Sequence, residues 1–149
     1  MALRWALAAL HLLGLAIGLG AVWARGRSLS ERPLDPPALR RAFAADSWWG
    51  VSAILLISTG LWRLLAATEK PTVYYMSSHA FVAKMALLAG ILLLEIRPMV
   101  TLIRWRLLVA RGVSPDAGAA VTIVRISYLQ ALLLIGMVLA ATAMARGLW

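Results

Sequence analysis

The chain has 149 residues, 62% of them apolar and 14% charged, with a mean hydropathy of +0.84. That balance excludes a soluble domain and defines an integral membrane protein, with room for about four spans of roughly 20 residues. The net charge of +9 does not indicate a nucleic-acid binder, because the basic residues cluster between apolar segments as in charged membrane loops. With no cysteine, disulfides, thiolate metal sites and cysteine nucleophiles are excluded too.

The first apolar stretch runs over about 5–23. Arg4 before it and Ala21 to Ala24 near its end have the elements of a signal peptide, but the apolar core is long and ends in Trp and Arg, so a retained span is expected. The second stretch covers about 43–62, and its helix is expected to start earlier: Asp35 followed by Pro36 and Pro37 has the chemistry of an N-cap and a first turn. Glu69, Lys70 and Pro71 mark the second loop. The third stretch covers about 78–96. Beyond it, the segment from Pro98 to Ala110 is apolar yet carries Arg104 and Arg106, which fits either an interfacial amphipathic turn or a protruding helix end. Gly112 to Gly118 forms the third loop and the fourth stretch covers about 126–145. The expected fold is all-α: a four-transmembrane-helix up-and-down bundle, one integral membrane domain over 1–149.

Orientation follows from the basic residues. Loops one and three gather Arg25, Arg27, Arg32, Arg40, Arg41, Arg97, Arg104, Arg106 and Arg111, with Arg125 just beyond; the opposite side holds Arg4, Arg63, Lys70 and Arg146. The positive-inside rule places loops one and three in the cytoplasm and both termini outside, in the periplasm of a bacterial inner membrane. Aromatic belts are expected to follow, with Trp5, Trp62, Tyr74, Tyr75 and Trp149 at the outer interface and Trp23, Trp48, Trp49 and Trp105 at the inner one.

Only two histidines occur, His11 and His79, each inside or at the mouth of a span. An imidazole in hydrocarbon needs a partner or a task, since it is costly there and is the side chain most apt to bind metal or haem near neutral pH. From the outer belt, His11 lies roughly 9 Å below Trp5 and His79 roughly 6 Å below Tyr75. Both sit on small-residue stripes, Ala8, Gly14 and Gly18 beside His11 and Ala83, Ala86 and Gly90 beside His79, so both are expected to face the bundle. Gly14 and Gly18 also form a GxxxG pattern, suited to packing within the bundle or to a homo-oligomer.

Lys84 is the third unusual residue, roughly 13 Å below Tyr75. It can snorkel outward or lift its ammonium toward the histidine level, with Arg63, Ser77 and Ser78 as neighbours in an outer vestibule. Five residues separate it from His79, about 140° around a helix, so the two do not share a face. At the inner end, Asp46, Glu95, Arg97 and Arg125 are expected to form ion pairs that fix packing, foremost Glu95 with Arg125, with Ser127 and Gln130 close by. A proton route from the cytoplasm is the alternative use of these groups.

Two histidines on facing helices suit bis-histidine ligation of haem b, with His11 and His79 as axial ligands, Arg63 as a propionate partner and Lys84 as a further candidate at the site. Copper is a further option through Met76, one turn before His79, because thioether and imidazole suit Cu(I). Packing and hydrogen bonding alone, in a non-enzymatic membrane subunit or scaffold, is the remaining reading. No catalytic triad, phosphate loop or zinc protease motif is present, so hydrolytic and nucleotide-using activities have no support.

The runs ALHLLGLAIGLGAVWARGRSL, FAADSWWGVSAILLISTGLWRL and SSHAFVAKMALLAGILLLEIRPMVTLIRWR resemble a bacterial family of small four-span membrane proteins of unknown function, over nearly the whole chain. More distantly, the architecture is similar to the HemJ family, four-span haem-binding protoporphyrinogen oxidases, and to CopD-like copper-resistance membrane domains. Ala9, Leu10 and His11 match the opening of the first HemJ helix, whose histidine is implicated in haem binding, and Lys84 matches its functional lysine. The HemJ histidine two residues before that lysine is Val82 here, and the Leu-Pro-Arg that ends its first helix is Ala24, Arg25 and Gly26. The resemblance thus implies haem b chemistry centred on His11 and Lys84.

Overall fold

The computed structural model describes residues 1–66 and 79–146. Four helices account for nearly all of them: α1 (Ala2–Ser30), α2 (Pro36–Leu65), α3 (His79–Ala110) and α4 (Ala117–Ala145). Each is long and apolar enough to cross a membrane, and no strand occurs among the described residues. At 1.5 Å per residue these helices are about 44–48 Å long, so each exceeds a hydrocarbon core of about 30 Å and carries its ends into the interface.

The helix ends have local causes. Asp35 caps α2 as expected, its carboxylate accepting the Ala38 N–H at 2.7 Å, with Pro36 and Pro37 in the first turn where no N–H is needed. At the end of α3, Val113 N–H donates to the Leu108 carbonyl and Gly112 N–H to Val109, both at 3.0 Å. That is a Schellman closure, and it requires the left-handed φ of +73° that Gly112 supplies. Between these points α3 is one helix that runs through the buried Pro98, so the segment carrying Arg104 and Arg106 is a helix end rather than a separate interfacial turn. Helix α1 likewise continues past Trp23 to Ser30, which puts Arg25 and Arg27 on a helix and not in a loop.

In lipid there is little hydrophobic drive between helices, so close contact depends on small residues and on hydrogen bonds. Gly14 and Gly18 serve α1 against α2: a methyl group at Gly14 would stand 3.2 Å from Leu55, and one at Gly18 would collide with Ser52 Oγ. Ser52 in turn donates to the Gly14 carbonyl at 2.7 Å. The GxxxG pattern is therefore occupied by packing within the chain. Gly26 does the same for α1 against α4, where a methyl would meet Ser127 and the Tyr128 ring at 3.3 Å, and Trp23 packs edge-on to Tyr128 with ring centres 5.2 Å apart.

Helix α1 packs along both α2 and α4, and α3 packs chiefly on α4, whereas α2 and α3 touch least of the adjacent pairs. Helices α1 and α3 lie across the bundle from each other. Two apolar clusters fill the interior. One, around Val22, Trp49, Ile91 and Leu134, occupies the middle; the other, around Leu29, Leu39, Leu102 and Trp105, occupies the end where α1 meets α2. Trp49 and Trp105 are thus core residues rather than members of an inner belt, while Trp23 and Trp48 are exposed as expected.

Candidate functional site

A polar layer separates the two apolar clusters, and every helix contributes to it. Arg25 follows Gly14, Gly18 and Ala21 on the buried stripe of α1, and its side chain is fully buried. A guanidinium has five N–H donors, and all five are used. Nε donates to Ser127 Oγ at 3.0 Å; Nη1 to Asp46 at 3.0 Å and Glu95 at 2.8 Å; Nη2 to Glu95 at 2.9 Å and Gln130 at 2.7 Å. The two bonds to Glu95 form the parallel fork that favours Arg over Lys. Gln130 completes the layer by donating to the Ile91 carbonyl at 3.1 Å and to Glu95 at 2.8 Å.

Asp46 also accepts from Arg106 at 3.1 Å, and Arg106 further donates to the Phe43 carbonyl at 2.7 Å while its guanidinium stacks over the Phe43 ring. Two carboxylates face two guanidinium groups, so the layer is neutral. No buried side-chain nitrogen or oxygen among the described residues lacks a hydrogen-bond partner.

The expected partner of Glu95 was Arg125, and the structure assigns Arg25 instead. Arg125 lies on the exposed face of α4, two residues from the inward-facing Ser127 and so about 160° from it when counted the short way round. Arg25 escapes a loop-based reading because the helix outlasts the apolar run. Extending the stripe Gly14, Gly18, Ala21 by one more turn reaches it, which is the sequence signal that could have found it.

The second site lies at the other end of α1. His11 is half-buried, and its Nδ1 stands 2.8 Å from Thr59 Oγ1 on α2. The Thr59 hydroxyl donates to the Leu55 carbonyl, so its one proton is committed and the His11 Nδ1–H is assigned as the donor to Thr59. Gly60 lets the ring approach, since a methyl there would come within 3.3 Å of His11 Cε1. His11 and Lys84 line one cavity of about 200 Å³, mainly between α2 and α3, whose other walls are apolar, among them Leu56, Leu64, Phe81 and Met137.

His79 is not part of this cavity. It is exposed at the start of α3 and lines a separate groove against Leu139, Ala140 and Ala143 of α4. The 140° between His79 and Lys84 is realised as two different neighbours, α4 for one and the α2 side for the other. Arg63 is half-buried near the end of α2 and does not line the cavity. Met76, Ser77, Ser78, Tyr74 and Tyr75 lie outside the described residues. No group of three or more His, Cys, Asp or Glu side chains suited to a metal occurs among those described.

Four spans, a neutral polar layer and one cavity holding a histidine and a lysine define a polytopic helical membrane protein with a candidate intramembrane binding site. Residues 3–148 match the family described as predicted membrane protein (DUF2214), and the chain belongs to that family. No curated protein and no solved structure matches it.

Proposed function

We propose that the chain is a membrane-embedded binding protein for a small lipophilic molecule bearing an acidic or electron-rich group, held by His11 and Lys84. The observation that carries this reading is the meeting of those two side chains in one otherwise apolar cavity. An ionisable residue inside a span is costly and marks a functional site by default. Convergent polar groups in an apolar recess are the usual form of a small-molecule site. Because α2 and α3 touch least of the adjacent helix pairs, a ligand dissolved in the bilayer would enter the cavity between them.

Haem b is a second, more specific reading. The bond between His11 Nδ1 and Thr59 supports it, because a ligating imidazole usually has its other ring nitrogen hydrogen-bonded to a fixed partner. The HemJ likeness rests on His11 and Lys84, the two positions that share the cavity. His79, in its own groove, is a poor second axial ligand, and about 200 Å³ is small beside the roughly 300–1,000 Å³ of ordinary ligand sites. A porphyrin therefore requires α2 and α3 to part. The arginine-rich end of the bundle supports an orientation with both termini in the periplasm of a bacterial inner membrane.

The test is mass spectrometry of an organic extract from detergent-purified protein, beside its absorbance spectrum after expression with ample haem. A near-stoichiometric compound that is lost from folded His11→Ala and Lys84→Met variants is the expected result, and a Soret band with the same dependence would identify it as haem. Identical extracts from all three proteins would overturn the binding role and leave a scaffold.

A further inference from the structure

A groove of about 630 Å³ runs along the outside of α1 and α2, walled by Gly20, Ala24 and Ser28 on one side and by Arg41, Ala44 and Trp48 on the other. It is open space at its centre, since a methyl group at Gly20 would meet nothing within 4 Å. From Ile17 to Ser28 it extends about 16 Å along α1, close to one leaflet of a core of about 30 Å. Its walls are apolar except at the arginine-rich end, where two polar side chains close it.

Those two side chains differ from ordinary surface groups. Ser28 is only 5% exposed as a residue and lines the groove; its hydroxyl makes no hydrogen bond to another described residue, and since no fully buried polar atom is left unpaired, its oxygen is open to the groove. Arg41 stands across from it, its side chain 52% exposed and paired only with the exposed Glu31, a kind of pair worth little. Arg27 and Arg40 are exposed at the same end and add positive potential.

We infer that this groove binds a phospholipid with an anionic headgroup: one acyl chain lies along Gly20 and Ala24, and a phosphate oxygen accepts from Arg41 and from the Ser28 hydroxyl. Arg matches a phosphate with two parallel N–H bonds, and Trp48, 58% exposed, is placed to cover the glycerol region at interfacial depth. A free phosphate ion would leave the apolar length of the groove uncovered. A second copy of this chain would bring further arginine against Arg41, because the same end of each copy is basic. Charge complementarity therefore favours a lipid.

The experiment reads tryptophan quenching by brominated lipid in full-length protein reconstituted into phosphatidylcholine vesicles. The Trp48 signal is isolated by subtracting the Trp48→Phe variant. Brominated phosphatidylglycerol should quench it with about fivefold higher apparent affinity than brominated phosphatidylcholine of the same chains, the effect of one well-placed cation at the membrane surface. Arg41→Gln and Ser28→Ala should each lower that preference, and Ala24→Leu should abolish quenching by filling the groove. Arg111→Gln, away from the groove, should leave it intact. Equal quenching by both lipids would reduce the groove to ordinary lipid contact and overturn the inference. So would a preference that survives Arg41→Gln, or a groove closed to both lipids in cross-linkable dimers.

Discussion

Replacing Arg25 by Met should destabilise the bundle by about 3–5 kcal/mol, the cost of removing one partner from a buried ion pair. Met keeps most of the apolar stem, so the loss is chiefly that of the five hydrogen bonds and the charge. The two carboxylates then fare differently. Asp46 retains Arg106 at 3.1 Å, whereas Glu95 retains only the Gln130 amide at 2.8 Å and becomes a nearly buried anion with no cation beside it. Most of the penalty therefore resides in Glu95, and a second substitution, Glu95→Gln, should restore more than half of it even though Glu95→Gln alone in the native background is destabilising. Arg25→Lys should fall between Arg25→Met and the native protein, since an ammonium has three donors for five acceptor contacts and cannot form the fork to Glu95. The assay is equilibrium unfolding in mixed detergent micelles followed by circular dichroism, arranged as a double-mutant cycle. An Arg25→Met variant within about 1 kcal/mol of the native protein would refute the reasoning, because that is the range of exposed pairs. Additive effects of the two substitutions would refute it as well.

Gly18→Ala should destabilise by about 1–3 kcal/mol through overpacking against Ser52, while Gly20→Ala, facing open space two residues away, should be neutral or stabilising by up to about 1 kcal/mol through helix propensity; the same unfolding assay measures both. A cysteine placed at Ser30, exposed at the end of α1, should react with a membrane-impermeant maleimide only after the cytoplasmic face is opened. Labelling of intact cells or spheroplasts from the outside would reverse the orientation.

The number of spans and the start of α2 were legible because they depend on local chemistry: long apolar runs, and an Asp-Pro-Pro cap that acts on its own backbone. The far ends of α1 and α3 were not, because hydropathy falls at the first arginines although the helix has no reason to stop there. Ser30 and Ala110 end their helices about two turns and four turns beyond the apolar runs. That shortfall hid Arg25, since an arginine among loop arginines carries no mark of being buried. Depth paired His11 with His79, and it was the likeness to HemJ that put Lys84 with His11, as the cavity has them. His79 could not be placed, because depth does not say which neighbour a helix face meets, and α3 turns that face to α4.

The two ends of the bundle solve opposite problems. Apolar side chains gain little by leaving lipid for one another, so nothing hydrophobic holds α2 and α3 together where they hardly touch. The Arg25 layer supplies the missing bond at one end: Asp46 on α2 and Glu95 on α3 accept from the same nitrogen, Nη1, of a third helix. His11 is 14 residues away on α1, about 21 Å, and its bond to Thr59 ties α1 to α2. The cavity lies toward the His11 end of the bundle, away from that layer. A ligand that entered there would spread the helices about a fixed point at Asp46 and Glu95, and loosening that point with Arg25→Met should weaken binding at His11 and Lys84 without changing a single residue of the cavity.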